Sequence, residues 1–176
     1  MSRISVPASV DAAPQAARAS LNAVGKSLGV VPNLFRLVAL SPAALKGYLG
    51  IGSALSAATL DGKTQERIAL AVAEINGCGY CLSAHTYLAR NVAKLDDAEI
   101  TANRNGASND LKADAAVRFA ASLVKSWGHV SDREMAEVRA AGYSDAELIE
   151  IVLTVALNTF TNYLNEVAQT PIDFPV

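Results

Sequence analysis

Apolar residues recur along this chain at spacings of three and four, and turn residues cut them into a run of helices. From about Ala12 to Leu28 the pattern is weakly amphipathic, and it stops at Gly29 ahead of Pro32. A short apolar segment, Leu34 to Val38, follows. Ser41-Pro42 then supplies an N-cap and a proline at the first helical position of a helix running to about Ala57. Asp61-Gly62 marks a turn, and Thr64 to Ile75 reads as the next helix, with Ile68, Leu70, Ala71 and Val72 as its apolar positions. Asn76-Gly77 stops it in the manner of a left-handed C-cap, and a new helix is predicted from Cys78 to about Val92. Asp96 with Glu99, Ser131 with Glu134 and Ser144 with Glu147 read as capping boxes, the first opening a short helix that ends at Asn105-Gly106. Asp110 to Trp127 carries Ala116, Phe119, Ala120, Leu123, Val124 and Trp127 as one helical stripe, with Trp127 expected to close a core. The last helix, Asp145 to about Ala168, is apolar nearly all round between Leu148 and Leu157. That predicts burial on every side, at the domain centre or between subunits. No stretch alternates with period two, and no linker or repeat divides the chain. The pattern predicts an all-α fold, a single compact domain of about seven to eight helices over residues 1–176.

Composition narrows the function classes. Apolar residues make up 51% and charged residues 18% of the 176, which excludes a disordered chain. Aromatics at 6% favour close-packed helices over a β-sandwich. Lys and Arg number 15 against 17 for Asp and Glu, so there is no basic excess of the kind that nucleic-acid binding requires. The opening residues hold no apolar run of signal-peptide length, and Leu148–Leu157 is too short for a bilayer span and contains Glu150. The chain is expected to be soluble and cytoplasmic, with neither nucleic-acid nor membrane partners.

There are 2 cysteines, and they stand together as Cys78-Gly79-Tyr80-Cys81. A disulfide closing so small a loop adds almost nothing as a staple, so a vicinal pair in a reducing compartment points to redox or metal chemistry. With a helix starting at Cys78, the residues Cys78, Cys81 and His85 fall at i, i+3 and i+7 on one face. Both sulfurs then lie near the first turn, where unpaired N–H groups and the helix dipole favour a thiolate, and His85 is one turn from Cys81. An ordinary thiol of pKa about 8.5 needs about 2 kcal/mol to reach half ionisation at pH 7. A helix terminus typically supplies about 0.3–1 kcal/mol, so an imidazole or a proton relay is wanted as well. Zinc is an alternative, held by Cys78, Cys81, His85 and an acidic neighbour, although structural zinc sites usually draw ligands in pairs from two elements. Leu82 stands where c-type haem attachment needs histidine, and a helix rather than a strand precedes the motif, which excludes a thioredoxin fold. Spacing does not choose between Glu66 and Glu74 as the acid that serves this cluster.

The stretch from Glu66 to His85, Glu-x11-Cys-x2-Cys-x3-His, resembles the signature of the alkylhydroperoxidase D-like proteins in the carboxymuconolactone decarboxylase superfamily. The segment Val31-Pro32-Asn33-Leu34-Phe35, then Ser41-Pro42, Asn162-Tyr163-Leu164-Asn165 and the tail from Thr170 to Pro175 resemble its peroxidase-related branch. The resemblance implies an all-helical fold assembling as trimers or hexamers, and a thiol peroxidase that uses no metal, haem or other cofactor. Carried over position by position, it makes Cys81 the peroxidatic thiol, Cys78 the resolving thiol and His85 the proton acceptor. Glu66 becomes the acid that holds or relays protons to the pair. The founding member has a histidine directly before the second cysteine; Tyr80 stands there in this chain, so a relay through that histidine would be missing or altered. The decarboxylase branch lacks the cysteine pair, which speaks against lactone decarboxylation.

The expected activity is therefore reduction of a peroxide by Cys81 and Cys78, reset by an external dithiol or thioredoxin-like reductant. A general thiol-disulfide oxidoreductase, or a non-enzymatic metal-binding or assembly module on the same side chains, are the alternatives. His129 reads as a solvated loop residue. Asn158, Asn162 and Asn165 read either as polar edges of a buried helix or as groups that bridge subunits or line the thiol cavity.

Overall fold

The computed structural model describes residues 2–174 of the chain; Met1, Pro175 and Val176 lie outside them. Nine α-helices and no strand occur among the described residues. They are α1 (Gln15–Leu28), α2 (Asn33–Val38), α3 (Pro42–Ser56), α4 (Gly62–Ile75), α5 (Gly79–Leu88), α6 (Asp97–Arg104), α7 (Leu111–Ser126), α8 (Asp132–Ala140) and α9 (Asp145–Ala168). The short apolar segment is itself helical, as α2. No helix among the described residues is long and apolar enough to cross a membrane.

Local chemistry sets the helix starts. Ser41 accepts from the Ala44 N–H with Pro42 in the first turn, and Asp61, rather than marking a free turn, caps α4 through the Thr64 N–H at 3.0 Å. Ser131 with Glu134 and Ser144 with Glu147 close both bonds of their capping boxes. Asp96 with Glu99 closes only one. The Asp96 carboxylate accepts from the Glu99 N–H, but the Glu99 carboxylate turns inward to Arg67 (2.7 Å), Asn103 (2.9 Å) and the Asn109 N–H (2.7 Å). Those buried donors offer it more than the single exposed N–H of a capping box does.

The helix buried on every side is α4. Ile68 through Ala73 are all at most 2% exposed, and α5, α6, α7 and α9 pack around them. Ala69, Ala71 and Ala73 keep the helix slim enough for neighbours on every face. Ile68, Leu70 and Val72 each contribute about 1.5–3 kcal/mol by burial. The expectation that α9 would be the enclosed helix does not hold within one chain: Ile149, Val152, Phe160, Tyr163 and Val167 face solvent as one stripe. Its other side packs on α3, α4, α5 and α7.

Trp127 also departs from expectation, being 89% exposed. The stripe it was to continue belongs to α7, but Trp127 is the C-cap, with φ of 56°. That left-handed step swings its side chain off the helical face. The helix predicted from Cys78 to Val92 is α-helical only to Leu88 and continues as a π-turn over Ala89–Ala93.

Candidate active site

The thiol site is made where α4 hands over to α5. Gly77 takes φ of 68°, and two bonds, Gly77 N–H to Glu74 O (3.1 Å) and Cys78 N–H to Ala73 O (3.0 Å), close α4 as a Schellman motif. The next residue, Cys78, is already the N-cap of α5: its sulfur accepts from the Cys81 N–H at 3.4 Å. Cys81 therefore lies in the first turn, at the positive end of the helix dipole, and both cysteines are buried. They are free thiols.

Two other helices complete the surroundings. Glu66 on α4 reaches His85 on α5, with Nδ1 2.8 Å from Oε1 and both side chains largely covered. From α9, the Asn165 amide donates to the Cys81 sulfur at 3.3 Å. Asn162, fixed by Asn76 Nδ2 at 2.9 Å, also favours the Cys81 thiolate. Asn158, which donates to Thr154 O, supports the protonated His85 ring.

These contacts separate the two thiols. Cys81 is brought down to about 6, chiefly by its hydrogen bond with Cys78; burial opposes the shift, and His85 and the two asparagines add to it. Cys78 is pushed far up, because its S–H donates to Cys81 and it is desolvated. Burial disfavours a charged His85, but the Glu66 carboxylate outweighs it and raises the ring above its ordinary value. The site thus favours a Cys81 thiolate, a Cys78 thiol and the protonated form of a His85 ring paired with Glu66.

Cys81 and His85 line a cavity of about 520 Å³. One wall is the tail after α9. Tyr80 donates to Asp173 Oδ1 at 2.8 Å and accepts from the Leu34 N–H at 3.1 Å, while Asp173 Oδ2 accepts from the Asn33 N–H at 2.7 Å. Phe174 packs edge-on against Tyr80, with ring centroids 5.9 Å apart. Tyr80 is thus engaged in holding the tail; its burial pushes its hydroxyl pKa well up.

A model of the carboxymuconolactone decarboxylase family matches residues 42–125. The chain superposes along 98% of its length on an uncharacterized peroxidase-related protein from Ralstonia eutropha JMP134, described as an alkylhydroperoxidase AhpD core. The TM-score is 0.86, the identity 22%, and 92% of that protein is covered. Over its central part the chain is similar to the carboxymuconolactone decarboxylase family. Its fold is alkylhydroperoxidase D-like. A peroxidase-related protein from Silicibacter sp. TM1040 matches with TM-score 0.80 and 21% identity over 90% of this chain and 85% of that one. The debrominase Bmp8, as a cysteine-to-alanine variant in complex with 2,3,4-tribromopyrrole, matches with TM-score 0.80 and 21% identity over 98% of this chain and 94% of its own. No curated protein sequence matches the chain significantly.

The part of the chain that matches the superfamily model runs from α3 through α7 and includes Glu66, Cys78, Cys81 and His85, which the fold draws together. Glu74 is elsewhere, on the surface with Arg104 at 2.6 Å, and His129 is exposed. The asparagines of α9 lie outside the matched part. Their only sequence signal was polar residues at i, i+4 and i+7 within an apolar helix, and the structure resolves that ambiguity in favour of the thiol site. No three His, Cys, Asp or Glu side chains among the described residues converge as a metal site. Of the tail, Pro175 lies outside the described residues.

Proposed function

We propose that this protein is a cysteine-based peroxide reductase with Cys81 as the attacking thiol. The observation that carries the reading is the setting of Cys81: a buried sulfur in the first turn of α5, at the wall of a cavity, accepting from the Asn165 amide and one helical turn from a His85–Glu66 pair, which together favour its thiolate. Such a group is largely thiolate at neutral pH and open to a small molecule. The Cys81 thiolate attacks the terminal oxygen of a hydroperoxide, the O–O bond breaks, and the departing alkoxide takes a proton from the His85 imidazolium. Cys81 is left as a sulfenic acid. The Cys78 thiol then attacks that sulfur, forming the disulfide and releasing water. An external dithiol or thioredoxin-like donor returns both thiols. Glu66 holds the ring by Nδ1 and stabilises its charged form, as orienting acids do in other nucleophile–base pairs. The chain works as a homo-oligomer of at least three copies, with the exposed apolar stripe of α9 as support.

The test is stopped-flow oxidation of the reduced protein by hydrogen peroxide and by an organic hydroperoxide, with thiols counted before and after. Rapid loss of both thiols per peroxide is expected; unreacted thiols at millisecond-to-second times and millimolar peroxide would refute the reading.

A second reading has its own observation: the fold shared with a debrominase seen with a brominated pyrrole, together with an apolar cavity at Cys81. In that chemistry an aryl C–Br bond is replaced by C–H while the two thiols become a disulfide and HBr is released. Bromide release from a bromopyrrole under anaerobic conditions separates it from peroxide reduction.

A further inference from the structure

The cavity over Cys81 is much larger than hydrogen peroxide requires. At about 520 Å³ it corresponds to on the order of fifteen water volumes of about 30 Å³ each. Its walls carry the rings of Phe35, Tyr48, Tyr80, Tyr87 and Phe174, and Leu28 and Val30 stand half-exposed at its mouth. Such walls suit a ring-bearing apolar molecule, which stacks or packs edge-on against them.

The charges point the same way. Glu66 and Asp173 line the cavity, whereas no Lys or Arg does so among the described residues. The basic group there, His85, is already paired with Glu66 at 2.8 Å, and the Cys81 charge acts on it through space. Asp173 is held by Tyr80 and the Asn33 N–H, both uncharged donors, so its negative charge is hydrogen-bonded but not neutralised. With thiolate and imidazolium offsetting one another, the walls keep a net negative charge. An incoming carboxylate would meet like charge in a partly enclosed, weakly screened space and would find no cation to receive it.

We propose that the cavity selects neutral, ring-bearing apolar substrates and rejects ligands of the same shape that carry a carboxylate. This rests on Cys81 as the reacting thiol, and it adds a charge rule to that reading. Tyr80 and Asp173 then have a role in the selection: they seat the tail whose Phe174 forms part of the wall, and Asp173 supplies part of the negative field.

The experiment uses two cumene hydroperoxides that differ only in a para substituent, a carboxamide or a carboxylate, with hydrogen peroxide as reference. The carboxamide is expected to react at least about tenfold faster than the carboxylate at pH 7 and low salt, with the gap narrowing as salt rises. In parallel, the two matching cumyl alcohols, which cannot oxidise a thiol, are titrated into Cys81→Ser by calorimetry. The carboxamide alcohol is expected to bind, and the carboxylate at least about tenfold more weakly. Val30→Lys places a cation at the mouth and should shrink the carboxamide-to-carboxylate ratio to about threefold or less. Equal rates and equal affinities for the two partners of each pair, or a preference for the carboxylate, would overturn the proposal. So would failure of both alcohols to bind together with no rate advantage of the neutral hydroperoxide over hydrogen peroxide. If neither hydroperoxide reacts while the alcohols still show the preference, peroxide reduction fails and the charge rule stands.

Discussion

Replacing Glu66 with Gln tests the proton chemistry most directly, because it keeps the shape of the Glu66–His85 contact and removes its charge. The bond is 2.8 Å long, and the side chains are 21% and 16% exposed for His85 and Glu66, so solvent screening is limited. A hydrogen bond to a charged partner is worth about 1.5–3 kcal/mol. Losing it lowers the imidazole, because the Glu66 carboxylate is what holds the ring above its ordinary value. The charged form of His85 would then be disfavoured, and Cys81 would lose cationic support. With Cys81 near 6, about nine-tenths of it is thiolate at pH 7; a rise of about 1.5 units would leave about a quarter. That is about a fourfold loss. Weaker protonation of the departing alkoxide adds to it, since acid–base assistance is worth about 10²–10⁴-fold in full. A peroxide rate at least about tenfold lower near neutral pH is therefore expected. The assay is stopped-flow reaction of the pre-reduced protein with an organic hydroperoxide from pH 5 to about 9, alongside thiolate absorbance. Above about pH 8 the thiol ionises unaided, so the deficit should shrink to the proton-transfer part. Glu74→Gln is the control, since Glu74 pairs with Arg104 on the surface. A silent Glu66→Gln beside a damaging Glu74→Gln would refute the reasoning, as would a Glu66→Gln rate reduced equally at every pH with the thiol titration unmoved.

Further outcomes follow from the same geometry. Cys81→Ser should abolish reaction with peroxide, whereas Cys78→Ser should consume one equivalent and leave a sulfenic acid that a dimedone-type reagent labels; reversed results would exchange the roles of the thiols. Asn165→Leu removes the 3.3 Å donor to Cys81 and should raise that thiol by about half to one unit, read from the pH dependence of thiolate absorbance; an unchanged titration would show the bond has no weight. Light scattering at micromolar concentration should find at least a trimer, and a stable monomer would leave the α9 stripe without its expected cover. Glu99 is held at about 2: burial opposes this, but bonds from Ser108, Asn103, the Asn109 N–H and Arg67 outweigh it. Because its folded-state pKa is depressed, its stabilisation is present above about pH 4.5 and lost as pH falls towards about 2. Glu99→Gln should lower thermal stability at pH 7 and flatten its decline in acid, and a variant as stable as the native chain at pH 7 would contradict this.

How much of this could be read from the linear chain depends on the range of the forces involved. Helix starts and stops follow from side chains three or four residues away, so Ser41-Pro42, Asn76-Gly77, Ser131 with Glu134 and Ser144 with Glu147 act in the fold as their spacing implies. The Cys78, Cys81 and His85 alignment is equally local, because one short helix carries it. Glu66 differs: its 2.8 Å contact with His85 joins α4 to α5, and in the sequence only family resemblance separated it from Glu74. Which helix is enclosed was also a tertiary matter. Hydrophobicity marked α9, yet the slender, alanine-rich α4 sits at the centre, because small side chains let four helices approach it at once. Glu99 abandoned its local capping bond for buried partners, and Trp127 left its stripe through a single left-handed residue. The thiol environment depended on tertiary structure most of all. Asn165 is 84 residues from Cys81 in the chain, and the Asp173 that anchors Tyr80 is 93 residues from it. Periodicity and capping are properties of neighbours along the backbone, whereas the ionisation of Cys81 and the charge of its cavity are set by groups that meet only after the chain has packed.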